Sequence, residues 1–400
     1  MSAKSNRLWN SQFVNLLLID LSFQFGIYFT SPIVSNYTVF LGATVAIGGF
    51  VAGLHSATAM LMRPIMGFIA DRFRKISLLF FAAVLFTLGS IGGSLATDVV
   101  TLGLSRVVMG VGFALRTVVI TAFVSLVVPA EKLGQGVGWV GLASTVSNAL
   151  APMIGEAVGS RFGFNVDFVI TTVLFMVGIG LVVLFYFNGR QAVAEDSALA
   201  KRDAAEPGRR KISLSDFMYI PAIKYAVLGF LASFPYGTGI TMLFLAAESV
   251  DVTGVGVYYT AFALMALVSK PMAGKISDRY GVVAAVVPSA LIMGSGMAVL
   301  AFMTSYWHAL AGGILMGLGE ASFYSAVQAE SVRNVPKDCL GRAVNTFYIG
   351  PDVANGLGPL LSGWLLQTFG MTAMFLTSAS AGVIAAALIL AIKAREKKGE

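Results

Sequence analysis

The chain has 400 residues, of which 57% are hydrophobic and only 12% charged, and its mean hydropathy is +0.82. A water-soluble domain carries about 25% charged residues, so an ordinary soluble fold is excluded and bilayer-crossing helices are expected. The net charge of +7 does not mark a nucleic-acid binder, because the basic residues sit in short segments between apolar runs. A single cysteine, Cys339, excludes an internal disulfide.

The first apolar stretch follows Lys4 and Arg7. It is too long for the core of a cleaved signal peptide and contains Asp20 and Gln24, so it reads as a retained first helix. Twelve apolar runs reach the roughly 20 residues that a bilayer requires. In chain order they cover 10–33, 44–70, 77–96, 101–128, 134–159, 166–188, 219–247, 254–277, 283–304, 307–334, 341–367 and 371–393. Helix is expected for each, because lipid offers no partner to an unpaired backbone group.

The connecting segments alternate in charge. One set holds Arg72, Arg74 and Lys75; Lys132; the stretch from Arg190 to Lys211; Lys275 and Arg279; Arg333 and Lys337; and the end from Lys393 to Lys398. The other set holds Asp98, Arg161, Asp167, Asp251 and His308. Positive residues stay on the cytoplasmic side, so both termini are expected there, as an even number of spans requires. The long polar segment 189–217 divides the chain into an N-terminal bundle, 1–188, and a C-terminal bundle, 218–393. It reads as a cytoplasmic linker, and 394–400 as a cytoplasmic tail.

The two halves repeat one another. Residues 63–73 read Arg-Pro-Ile-Met-Gly-Phe-Ile-Ala-Asp-Arg-Phe, and residues 270–280 read Lys-Pro-Met-Ala-Gly-Lys-Ile-Ser-Asp-Arg-Tyr, an offset of 207 (270 − 63). The same offset carries Gly110 and Gly112 to Gly317 and Gly319, Leu133 and Gly134 to Leu340 and Gly341, and Asn148 and Pro152 to Asn355 and Pro359. The first span aligns at an offset of 211, with Phe23, Gly26 and Thr30 matching Phe234, Gly237 and Thr241. A parallel duplication of a hydrophobic six-helix unit points to a two-halved transporter.

The pattern resembles the major facilitator superfamily over essentially the whole chain. The strongest match is the connection after the second span: Pro64, Gly67, Ala70, Asp71, Arg72, Arg74 and Lys75. The family pattern has a glycine before the basic pair, whereas here Phe73 runs straight into Arg74. The resemblance implies an all-α integral membrane fold, with twelve transmembrane helices in two pseudo-symmetric six-helix bundles. It also implies a cytoplasmic gate at Gly67, Asp71, Arg72, Arg74 and Lys75, closing against the eleventh span near Gly341. The repeated copy supplies Gly274, Asp278 and Arg279. A topology anchor without a gating role is the plainer alternative.

Arg106, Gly110 and Gly112 resemble the second family motif, an arginine followed by spaced glycines; the alternative is a structural pair near the helix end. Asn148, Pro152 and Gly155, with Ala151 in place of the usual glycine, resemble imperfectly the glycine–proline motif of proton-driven exporters. Asn355, Gly358 and Pro359 in the second half come closer to it. An ordinary proline kink at a helix crossing is the alternative.

Besides Arg106, four charges carry most of the expected mechanism. Asp20 and Arg116 lie about ten and twelve residues from the cytoplasmic ends of spans one and four, nearly the same depth at about 1.5 Å per residue, and could pair. Glu320 and Asp352 lie near the middle of spans ten and eleven. A carboxyl in an apolar cavity can load and release a proton near neutral pH, so Glu320, Asp20 and Asp352 are the candidates for proton coupling, with Arg116 and Arg106 as buried charge partners. A fixed structural ion pair is the alternative for each. Phe23, Tyr236, Phe323, Tyr324 and Tyr348 fall on spans that the resemblance places around the substrate cavity, where packing and lipid-facing roles compete.

The expected function is secondary active transport, as proton-coupled export (antiport) of a small organic solute or drug by alternating access. Proton-coupled import of a nutrient or metabolite is the alternative, and a non-transporting receptor or scaffold a remote one. No nucleotide loop, metal cluster or nucleophile–base constellation is present. An enzyme, a cofactor, a metal and a nucleic-acid partner are therefore not expected. The partners are a small-molecule substrate, protons and the bilayer, and the chain is expected to act as a monomer in the plasma membrane.

Overall fold

The computed structural model describes residues 8–129, 132–188, 219–333, 335 and 340–398, without the side chains of 64, 67, 68, 70–72, 125, 133, 134, 137, 138, 340–342, 345, 397 and 398. The segment 189–217, Lys337 and Cys339 lie outside the described residues.

The protein is all-α. Its helices are α1 (Ser11–Thr30), the short α2 (Val34–Phe40), α3 (Val45–Arg72), α4 (Lys75–Ser94), α5 (Val99–Val127), α6 (Leu133–Phe162), α7 (Phe164–Asn188), α8 (Ile223–Glu248), α9 (Val257–Tyr280), α10 (Val282–Ala301), α11 (Tyr306–Val332) and α12 (Leu340–Lys398). α12 breaks at Gly370 (φ 82°, ψ 176°) into two arms. Counting the arms separately and setting α2 aside, twelve long helices lie among the described residues, six on each side of 189–218. The sequence placed no helix at α2, and the second arm of α12 runs on to Lys398, into the expected tail.

The duplication is visible in the helix ends. α4 and α10 begin and end 207 residues apart, and the α6–α7 joint at Gly163 (φ 96°) corresponds to the break at Gly370 (φ 82°). The hairpin between α3 and α4 departs from its copy in an informative way. The second copy turns through Gly281 at φ 86°, a conformation that needs glycine. The first copy has Arg74 there and turns in ordinary extended backbone instead (φ −62°, ψ 121°). The glycine missing from the first motif is thus accommodated by a different turn.

Two compact units emerge from the packing: Met1–Thr30 with Thr58–Arg210, and Ser31–Ala57 with Lys211–Glu400. In the first, α1 packs on α6 and α7, and α4 on α5 and α7. Its core is aromatic: the rings of Phe23 and Phe86 stack 5.4 Å apart, and Phe86 lies 5.0 Å from Phe175. α1 approaches α6 so closely at Gly155 that a Cβ there would lie 2.2 Å from the Phe29 carbonyl.

In the second unit α8 packs on α12, α9 on α11, and α10 on α11 and α12. Residues 31–57 belong to it through specific bonds. Ser35 Oγ donates to the Thr241 carbonyl (2.9 Å), Asn36 Nδ2 to Glu248 (2.8 Å), and the Ala46 amide to Gln367 Oε1 (2.9 Å). The start of α3 then lies backbone-to-backbone on α12, where a Cβ on Gly53 would sit 2.1 Å from the Gly356 carbonyl.

The connecting segment before α5 is capped by Asp98, whose carboxylate accepts the amides of Val100 and Thr101 at 2.9 Å. The Thr101 amide and hydroxyl, then the Val100 amide, hold this carboxyl below the usual carboxylate range.

Candidate functional site

Asp20 and Arg116 meet inside the first unit. Asp20 lies on α1, fully buried, and Arg116 on α5, with 4% of its surface exposed. Arg116 Nε donates to Asp20 Oδ1 at 3.1 Å, and its Nη2 reaches the same oxygen. Asp20 Oδ2 has no hydrogen-bond partner among the described residues. The guanidinium carbon sits 5.7 Å from the Phe113 ring centre, one helical turn away. An ion pair in such surroundings is held by its own geometry, since both charges give up water to form it.

Arg106, also on α5, stands apart from this pair. It is 2% exposed; Nη1 lies 4.0 Å from Met109 Sδ, and Nε has no partner among the described residues. Gly112 packs against the Ala82 carbonyl of α4 at 3.2 Å from its would-be Cβ, and Gly110 is buried on the same helix. Asn148, Pro152 and Gly155 follow one another along the buried part of α6.

In the second unit Glu320 is buried on α11, and no ion-pair partner stands within bonding distance among the described residues. Asp352 is half-buried on the first arm of α12 and the structure does not bring it to Glu320 as a pair. Asn355, Gly358 and Pro359 lie one and two turns farther along that arm. Asn355 Oδ1 faces Gly237 and Gly358 faces the Phe234 ring, both on α8, while the Pro359 carbonyl faces Gly49 of α3.

The aromatic candidates divide. Phe23 and Phe323 are completely buried and serve the two cores. Tyr236, Tyr324 and Tyr348 are half-buried. Tyr236 lies 5.4 Å from the Phe262 ring, Tyr324 lies 5.5 Å from Phe347, and Gln328 Nε2 donates to the Tyr348 hydroxyl at 2.8 Å.

Of the gate residues, Gly67, Asp71 and Arg72 lie outside the described side chains. Arg74 is exposed at the start of α4, with Lys75 half-buried beside it. In the second copy Gly274 is exposed, Arg279 lies over the Tyr280 ring, and Asp278 accepts from Arg333 of α11 at 3.3 Å.

The sequence is matched by the family model for the Major Facilitator Superfamily over residues 16–250 and again over 225–400. The chain belongs to the major facilitator superfamily. It is therefore a multi-pass membrane transporter of a small-molecule substrate, and not an enzyme. Its relatives in the superfamily include the multidrug resistance protein MdtG of Enterobacter lignolyticus, 24% identical over 83% of this chain and 78% of the relative. An uncharacterized MFS-type transporter of Methanocaldococcus jannaschii is 20% identical over 94% of this chain and 95% of the relative. Among solved structures, a peptide transporter POT in complex with sulfate superposes with a TM-score of 0.78 at 15% identity, over 96% of this chain and 94% of that one. A bacterial homolog of the human lysosomal transporter Spinster gives 0.76 at 15% identity, over 95% and 96%. These superpositions establish the superfamily fold.

Sequence reasoning missed three features of this superfamily member. One is a charge cluster joining α8, α11 and α12. Lys393 donates to Glu330 (2.6 Å) and to Glu396 (2.7 Å), Arg333 reaches Glu330 (3.2 Å), and Lys224 reaches Glu396. Another is a buried hydroxyl chain, in which Thr238 Oγ1 lies 2.7 Å from Ser362 Oγ and accepts from Ser378 Oγ at 3.2 Å. Neither shows in a one-dimensional pattern, because each is tied together by bonds between residues far apart in the chain, Lys393 to Glu330 and Lys224 to Glu396 in the first and Thr238 to Ser362 and Ser378 in the second. The third is Asp167. The sequence places it at the very edge of the sixth span, 166–188, and counts it among the charges of a connecting segment; the structure puts it inside α7, with no exposed surface. Its signal was the helix start at Gly163, which puts Asp167 one turn into the apolar run.

Proposed function

We propose that this transporter exports a small organic solute or drug in exchange for protons, by alternating access. It would act as a monomer in the plasma membrane with both termini in the cytoplasm. The observation that carries the proton-coupled reading is Glu320, a buried carboxyl on α11 with no ion-pair partner among the described residues. Such a group is costly as a bare anion, so its charge state and the conformation of its surroundings depend on each other. The direction is supported by the relatives named as multidrug resistance proteins. Asp20, paired with Arg116, and Asp352 are further carboxyls that could share the proton. Arg106 is a second buried cation in the first unit. The Gly67–Lys75 hairpin and its copy at Gly274, Asp278 and Arg279 are proposed as the cytoplasmic gate, on the resemblance of their sequence.

The test uses purified protein in proteoliposomes with an imposed pH gradient and a panel of amphipathic drugs. Glu320→Gln is expected to abolish uphill, gradient-driven transport while retaining substrate exchange, which needs no net proton movement. A variant that still concentrates substrate assigns the proton elsewhere. Uptake of substrate together with protons, and not against them, replaces export by import.

A further inference from the structure

Asp167 is a buried acid that the transport reading does not use. It lies in the first turn of α7, with no exposed surface, and neither Oδ1 nor Oδ2 has a hydrogen-bond partner among the described residues, so the partly positive helix start acts on it only at a distance. Thr171, one turn on and on the same face, is equally buried, and its Oγ1 is also without a partner. Across from them is Gly159 of α6, close enough that a Cβ there would stand 2.3 Å from Asp167 Oδ2.

The charged groups nearby are committed or turned away. From α6, Arg161 is exposed with its guanidinium 5.5 Å from the Phe162 ring centre, and Glu156 is half-buried and itself acidic. α4 meets the adjoining turn of α7 through Gly93, packed on the Phe168 ring, and through Ser90, whose hydroxyl donates to the Phe168 carbonyl. Its one titratable residue, Lys75, begins the helix at the opposite end. α1 carries Tyr28 and Asp20, the latter held by Arg116. Asp98, in the segment before α5, is occupied with its own helix start.

A carboxylate sealed from water, with no bonded cation or donor among the described residues, is costly as an anion, and the helix start offsets only about 0.3–1 kcal/mol of that. It needs a neutralising ligand. A hydrated metal cation would need several oxygens to replace its water, and only Asp167 and Thr171 offer unsatisfied ones here. A proton needs only the carboxyl, and the resulting O–H can share the site with the Thr171 hydroxyl.

We propose that Asp167 is a proton-binding site, occupied when α6 and α7 are packed as they are here and emptied when their joint at Gly163 opens to water. The inference is independent of the direction of transport and of the substrate, and its test requires neither. Thermal unfolding of the full-length protein in detergent is measured across pH for the wild type and for Asp167→Asn, which keeps the shape and cannot titrate. The packed state holds a proton that the unfolded state has released, so the sign is fixed: wild-type stability falls as pH rises. The folding equilibrium constant drops by about tenfold per pH unit while the packed state stays protonated. Asp167→Asn is expected to lose that slope and to exceed the wild type at alkaline pH. Should Asp167→Asn not fold, Asp167→Ser, which leaves a hydroxyl beside Thr171, takes its place in the same comparison. Equal slopes in variant and wild type would overturn the proposal. So would stabilisation of the wild type by sodium over choline salts that vanishes in the variant, since it would make the ligand sodium.

Discussion

Asp20 gives one oxygen, Oδ1, to both reaching nitrogens of Arg116 and leaves Oδ2 without a partner among the described residues. Both bonds of the arginine therefore rest on a single atom. Asp20→Asn keeps the shape but removes the charge, leaving a buried guanidinium uncompensated. Breaking a buried pair in this way costs about 3–5 kcal/mol, so the variant is expected to unfold at lower temperature as well as to transport poorly. Adding Arg116→Gln should recover part of the lost stability, because it removes the stranded cation. Melting curves of the two single variants and the double variant check this. A double variant no more stable than Asp20→Asn alone would mean that the pair is not a coupled unit. The pairing was legible in sequence because both residues interrupt apolar spans at matching depth. The isolation of Asp167 was not, because a charge next to a span end reads the same whether it faces water or protein.

At the scale of elements, the two hairpins of the repeat solve one turn in two ways. Gly281 adopts φ 86° and ψ 161°, a region almost closed to other residues, while its counterpart Arg74 stays at φ −62°. Gly281→Ala is therefore expected to cost about 1–3 kcal/mol through backbone strain, and Arg74→Gly to leave the first hairpin formed. Thermal unfolding of the two variants separates these outcomes, and an Ala variant as stable as wild type would show that the second turn tolerates a side chain. Most of the helical fold could be read in advance, since apolar length and the 207-residue repeat set the number and approximate ends of the helices. The short α2 could not, because seven residues of mixed polarity carry no bilayer-length signal. The attachment of residues 31–57 to α8 and α12 was equally hidden. It rests on a hydroxyl, an amide and glycine contacts whose partners lie two hundred or more residues away.

At the scale of the whole molecule, the orientation in the membrane decides which side the proposed gate hairpins would close, whereas the direction of substrate movement depends on whether it moves against the proton or with it. The connection between α11 and the first arm of α12 belongs to the basic set, with Arg333 and Lys337, and the distribution of positive charge predicts that it faces the cytoplasm. Cys339 lies in this connection and is the only cysteine in the chain, so a thiol reagent reports on one place without mutagenesis. A membrane-impermeant maleimide is expected to leave intact cells unlabelled and to label Cys339 once the membranes are opened. The N-terminal half points to the same expected orientation, since Lys132 stands at the equivalent point of the repeat (339 − 207 = 132), and Arg74 and Lys75 precede it by two helices, on the same side. If Cys339 is instead labelled from outside intact cells, the positive segments face outward, both termini follow them, and the hairpins at Gly67–Lys75 and Gly274–Arg279 cannot be a cytoplasmic gate.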